Sequence, residues 1–256
     1  MDFEWINVQA EELNKALKAH NLFFPELSPV QYQAEIPADL ASVVDHTLLR
    51  PEATYERIKE ELKLARGYNF ASVCIHPRYV SLAAEILDST EVKVCTVIGF
   101  PLGANTTLVK VNEVRDALAA GAEELDMVLP LGALKSGDYY SVYEDIVSVK
   151  AAAGDRTVKV ILETPLLTDA EIVKASLLAK AAKADFVKTA TGFAGGGATL
   201  EAVKIMRQAV GLSCGVKASG GIRGPQAVIA FLQAGANRIG TSAGVAIANM
   251  SAGEQQ

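Results

Sequence analysis

Cysteine is scarce: the 256 residues hold three, Cys74, Cys95 and Cys214. They are odd in number, far apart and never spaced as CxxC, which argues against a disulfide framework and against a zinc site. Scarce, unpaired cysteine points to a reducing cytoplasm. Histidine is equally rare, and His20, His46 and His76 show no metal-ligand spacing with one another. No apolar run approaches the ~20 residues of a membrane span, and the first fifteen residues carry acids early with no apolar h-region, so no secretory signal is expected. GxxxxGK[ST] and GxGxxG are both missing, which argues against a nucleotide ligand. So is the GxSxG elbow of serine hydrolases. Net charge is −6 and the sequence pI is near 5.2, without the clustered Lys and Arg of a nucleic-acid surface. A local cationic pocket for a small anion remains compatible with that balance.

What is present is a repeat. Residues 1–22 carry Ile6, Ala10, Leu13 and Leu17 at helical spacing. Residues 23–40 hold Pro25, Pro29 and Pro37 and read as an extended connector. This segment lies outside the repeat, as a cap on the fold or a subunit contact. From residue 41 short β-branched runs alternate with Ala/Leu/Lys/Glu-rich helical stretches that often end in glycine. Strands are expected at 41–46, 71–76, 92–99, 124–129, 158–163, 185–190, 214–219 and 237–242. Their polar ends recur about every 22 to 33 residues, one strand–helix unit each time. Eight such units imply a single (β/α)8 barrel, a TIM barrel, over residues 41–256 with a helical extension over 1–40. A doubly wound parallel sheet is the structural alternative.

The strand ends are unusually polar for a barrel. Asp126, Lys159, Lys188 and Lys217 occupy matching places in four strands, where Val, Ile or Leu is the rule. One buried lysine could snorkel to solvent, but four charges together need one another. Lys188 and Lys217 fall on neighbouring strands, about 4.8 Å apart. Two ammonium groups so close do not both stay charged cheaply. A free lysine is neutral in about one molecule in 2,500 at pH 7, and lowering its pKa by ~3 units takes ~4 kcal/mol. One amine then becomes a nucleophile able to form a Schiff base. The residues leave open which one, although Lys188 sits in the more apolar run and Lys217 precedes a glycine loop. Asp126 could move protons for that chemistry, pair with Lys159 or Lys217, or do both.

Two glycine-rich loops follow the sixth and seventh strands, TGFAGGGAT (191–199) and SGGIRG (219–224). With Arg223 and Ser242 they suit an anion, and phosphate sites in such barrels favour this end. His46 and His76 fall at strand ends as rim groups, and Cys74 and Cys95 read as small core residues.

FVKTATGF (186–193), GVKASGGIR (215–223), GAEELDMV (121–128), VCIHPRYV (73–80), VIGFPLGA (97–104) and VDHTLL (44–49) together resemble deoxyribose-phosphate aldolase, from about Val44 to Ala246. The resemblance implies a class I aldolase without a metal or other cofactor. Such an enzyme reversibly splits 2-deoxy-D-ribose 5-phosphate into D-glyceraldehyde 3-phosphate and acetaldehyde. It implies Lys188 as the Schiff-base lysine, Lys217 as its perturbing neighbour and Asp126 as the proton carrier. Asp45, Thr47, Cys74 and Lys159 would line the substrate pocket. Thr191, Gly192, Gly220, Gly221, Gly240 and Ser242 would surround hydroxyl and phosphate groups, and Arg223 would add a donor. The implied partners are small phosphorylated sugars and aldehydes, with a homo-oligomer, dimer or tetramer. Three features depart from the pattern: Phe193 stands where some members carry lysine, Ala243 replaces a second serine, and no tyrosine follows Tyr143. These bear on phosphate affinity and proton transfer. A Schiff-base aldolase for another sugar phosphate, or a barrel that only binds a phosphate ester, are the alternatives.

Overall fold

The computed structural model describes residues 3–253. Eight parallel strands close into a barrel in chain order: β1 Val44–Leu48, β2 Ser72–Ile75, β3 Lys93–Ile98, β4 Glu124–Val128, β5 Thr157–Ile161, β6 Phe186–Lys188, β7 Gly215–Ser219 and β8 Arg238–Thr241. An outer layer of helices surrounds them: α1 Phe3–Leu17, α2 Tyr55–Ala65, α3 Val80–Ile86, α4 Thr107–Ala119, α5 Leu131–Lys135, α6 Tyr139–Ala153, α7 Asp169–Ala181, α8 Leu200–Val210, α9 Pro225–Ala234 and α10 Gly244–Gly253. This is the (β/α)8 barrel expected from the repeat, and the doubly wound alternative falls.

Local chemistry marks the boundaries. The side chains of Thr54, Thr106, Asp138, Thr168 and Thr199 each accept a backbone N–H at the start of a helix, satisfying donors that the helix leaves open. Gly154, Gly211 and Gly235 end α6, α8 and α9 with φ of 58°, 72° and 122°, backbone that glycine adopts without steric cost. Strands such as β2 and β4 are buried along their whole length, as parallel strands covered on both faces must be.

Strands β5 and β6 end two residues earlier than expected, at Ile161 and Lys188, and two further departures have local reasons. The first strand begins at Val44 rather than residue 41, because Leu40–Val43 form a 3-10 turn whose N–H at Ala41 is held by the Asp39 carboxylate at 2.9 Å. The α10 segment carries no charged residue over GVAIANM, so no amphipathic stripe announces it.

The N-terminal segment is strapped along the outer helices. Ile6, Ala10, Leu13 and Leu17 face α6 and α7. Asn14 clasps the backbone of Phe24 with both ends of its amide, at 2.7 and 2.8 Å, and Asn7 does the same to Leu27, at 2.8 and 3.2 Å. Gln208 on α8 repeats the device at Val30, with two bonds of 2.9 Å.

Candidate active site

Strand register determines which charges meet. Lys188 lies directly opposite Lys217, and Asp126 opposite Lys159. All four side chains turn into the barrel and are buried. Lys188 and Lys217 donate to the same oxygen, Asp126 Oδ2, at 2.8 and 2.7 Å, while Lys159 donates to Oδ1 at 2.9 Å. Barrel closure brings in three more groups. Asp45 pairs with Lys217 and lies 3.5 Å from Lys159. Glu124 meets Lys159 at 2.6 Å. Arg238 bridges Asp45 and Glu124, at 2.6 Å to each.

The network therefore holds four cations against three carboxylates. Burial would raise Asp126, but Lys159, Lys188 and Lys217 hold it well below the ordinary carboxylate range. Burial likewise opposes ionised Asp45, and Lys217, Lys159 and Arg238 outweigh it. Burial pulls Lys159 and Lys217 down, and the surrounding carboxylates push both above the usual lysine value. The amines are thus not bare neighbours repelling each other, as sequence spacing suggested. Asp126 stands between them, and the surplus of one positive charge belongs to the network.

Above this layer the C-terminal mouth holds a cavity of about 420 Å3. Lys188 reaches its wall. So do Thr47, Thr191, Gly192, Gly220, Gly221, Arg223, Gly240 and Ser242, each anticipated from sequence. Gly240 also has a packing reason. A Cβ there would sit 2.8 Å from Ser219 Cβ and 3.1 Å from Lys217 Cε, blocking the path of the lysine stem. The loops after β6 and β7 touch backbone to backbone, since a Cβ on Gly220 would lie 2.7 Å from the Gly197 Cα. Phe193 stands at the mouth, edge-on to Phe100 with ring centroids 5.3 Å apart.

Asp45, Cys74 and Lys159 do not line this cavity. They are fully buried beneath it, Asp45 and Lys159 in the ion network and Cys74 in a small apolar cluster with Leu49, Cys95 and Val97. His46 turns away from the mouth. Its Nε2 lies 2.8 Å from Glu61 and its ring stacks on Phe70. His76 bonds the carbonyl of Leu49 at 2.9 Å. Cys74, Cys95 and Asp126 offer ligand atoms within 4.8 Å of one another. The Lys159 ammonium already lies against two of them, 3.4 Å from Cys95 Sγ and 2.9 Å from Asp126.

Sequence reasoning missed Glu124, Glu163 and Arg238. Glu124 and Arg238 begin strands, and only barrel closure reveals their partnership. Glu163 carried a signal only in hindsight, an acid directly after the apolar end of the fifth strand. It holds left-handed backbone (φ 59°, ψ 55°) while buried, a strain of order 1–3 kcal/mol for a non-glycine residue.

Fold and site together define a (β/α)8 enzyme whose mouth opens onto a buried lysine. Residues 39–249 match the DeoC/LacD family aldolase. A deoxyribose-phosphate aldolase of Streptococcus suis is 57% identical over 210 residues, which are 82% of this chain and 96% of that protein. A solved structure from Coccidioides immitis, provisionally named deoxyribose-phosphate aldolase, superposes with a TM-score of 0.85 at 39% identity, over 98% of each chain. A deoxyribose phosphate aldolase of Aeropyrum pernix, described as a tetramer, gives a TM-score of 0.75 at 37% identity over 84% of this chain and 91% of its own. The chain belongs to the DeoC/LacD aldolase family.

Proposed function

We propose that the protein is a deoxyribose-phosphate aldolase acting through an imine on Lys188. The observation that carries this reading is the place of Lys188 in the network. Among its lysines, Lys188 is the one on the cavity wall and has a single carboxylate contact, shared with Lys217. Lys217 has two carboxylate partners and Lys159 three. With Lys188 uncharged, three cations face three carboxylates, and Lys188 gives up the fewest carboxylate contacts of the three amines.

The neutral Lys188 amine attacks the aldehyde carbon of the open-chain sugar, and loss of water leaves a protonated imine. That imine draws electrons as the C2–C3 bond breaks and the C3 hydroxyl loses its proton. D-Glyceraldehyde 3-phosphate departs, the enamine takes a proton at C2, and hydrolysis releases acetaldehyde. Asp126 and Lys217, bonded to each other beside Lys188, are the proton carriers. Arg223, Ser242 and the N–H groups of Gly220 and Gly221 suit the phosphate. Asp45 and Lys159 hold the network from below, and no metal or cofactor takes part.

The reading assigns residues 41–256 to the catalytic barrel and 1–40 to an accessory extension. It places the enzyme in the cytoplasm as a homo-oligomer, the form described for the Aeropyrum pernix relative. Among the described residues no helix is long and apolar enough to cross a membrane. Borohydride reduction with deoxyribose 5-phosphate should add a substrate mass at Lys188. Turnover with no trapped adduct would overturn the imine, and equal cleavage of unphosphorylated deoxyribose would overturn the phosphate subsite.

A further inference from the structure

Glu163 lies two residues past the end of β5, capping the 3-10 turn Thr164–Leu166, and has no part in the chemistry above. It is 1% exposed, and its carboxylate is turned to one neighbour, Thr191 of the cavity wall. The Thr191 N–H donates to its two oxygens at 3.1 and 3.3 Å, and the Thr191 hydroxyl donates to Oε2 at 2.5 Å. A carboxylate offers only acceptors, so the single hydroxyl hydrogen of Thr191 is committed to it. The same hydroxyl oxygen accepts the N–H of Phe193 at 3.0 Å. A hydroxyl has one hydrogen and two lone pairs. The hydrogen and one pair are therefore spent inside the protein, and what Thr191 has left for the cavity is one acceptor.

We infer that Glu163 is a positioning residue that restricts Thr191 to accepting from the substrate. Thr191 then takes a hydrogen bond from a substrate hydroxyl and has none to give to a carbonyl or phosphate oxygen. This rests on the aldolase reading of the site and deepens it. The ligand preferred beside Thr191 is one with a free hydroxyl next to the reacting carbon, and a deoxy or O-alkylated analogue is disfavoured. In Glu163→Gln an amide N–H2 replaces one acceptor oxygen. The Thr191 hydroxyl is no longer obliged to point inward, and the discrimination relaxes.

The test compares two unreactive phosphate esters that differ by one hydroxyl, glycerol 3-phosphate and 3-hydroxypropyl phosphate, by calorimetry. The variants are wild type, E163Q, T191S and T191V. Wild type and T191S should favour the hydroxyl-bearing ester by about tenfold, the scale of one hydrogen bond. T191V should erase that preference, and E163Q should reduce it, with the double variant E163Q/T191V no less selective than T191V alone. The same order should appear in kcat/KM for D-glyceraldehyde 3-phosphate against 3-phosphopropanal, with acetaldehyde as donor. A structural role would lower kcat for both aldehydes alike and leave the selectivity intact, and that result would overturn the inference, as would unchanged selectivity in T191V. Because T191V keeps Glu163, it carries the test even if E163Q folds poorly. Borohydride trapping is scored separately: its failure in wild type removes the aldolase reading, whereas the ester comparison still reports on Thr191.

Discussion

The protein buries lysine in two places, and the two behave oppositely. In the outer layer, Lys110 of α4 is fully buried and gives one bond to Asp145 of α6, at 2.7 Å, and another to the carbonyl of Val128, at 2.9 Å. Asp145 in turn accepts from the Thr107 hydroxyl at 2.7 Å. One cation meets one carboxylate, and the pair is sealed. At the barrel centre four cations meet three carboxylates, and one of the amines reaches a cavity. Burial by itself does not make a lysine reactive. On the proposed reading, a surplus of positive charge and access to a ligand do, because only then does losing a proton relieve the site.

The comparison can be broken at several points. Lys188→Ala should reduce turnover about 1,000-fold or more, as loss of a nucleophile does. Its melting temperature should hold, because three cations then face three carboxylates. Steady-state kinetics beside a thermal melt would decide, and a large stability loss would undo the charge count. Asp126→Asn removes the anchor shared by three amines. Activity should fall about 100- to 10,000-fold and stability by ~3–5 kcal/mol, both measurable on the same preparation by assay and denaturant titration.

Lys110→Met strands Asp145 and should cost ~3–5 kcal/mol in denaturant unfolding. Activity per folded molecule should stay at the wild-type level, sharpening the contrast between a sealed pair and an open network. The smallest effect is in pH. Asp45 and Asp126 are depressed, so their contribution is present above the ordinary carboxylate value of 3.8 and is lost as pH falls below it. Lys159 and Lys217 are raised, so theirs is present below 10.5 and is lost as pH rises beyond it. The share of stability that these four groups supply should be level between those limits and fall outside them, with the acid edge of the melting temperature shallower in Asp126→Asn.

Much of this was legible in the chain. The strand–helix repeat announced all eight strands, and caps such as Thr54, Thr168 and Thr199 stand where the helices begin. Lys188, Lys217 and Asp126 were conspicuous because charge is out of place at the end of a barrel strand. Other features were hidden for definite reasons. The resemblance implied Cys74 and Lys159 as pocket residues, but depth along the barrel axis is set by stagger between strands, and both lie buried a layer lower, Cys74 as the small core residue its strand position suggested. Glu163 was invisible because its importance comes from a turn that brings it back onto Thr191.

Sequence alone determined the fold class and the chemical cast, since strand and helix periods and the polarity of strand ends are local properties. Only the tertiary structure decided how the charges are shared. Arg238 reaches Asp45 because closure sets β8 beside β1, and it reaches Glu124 across the barrel interior. Which carboxylates a cation of the network meets depends on distances between residues up to 193 positions apart, as for Arg238 and Asp45, and no local pattern encodes them.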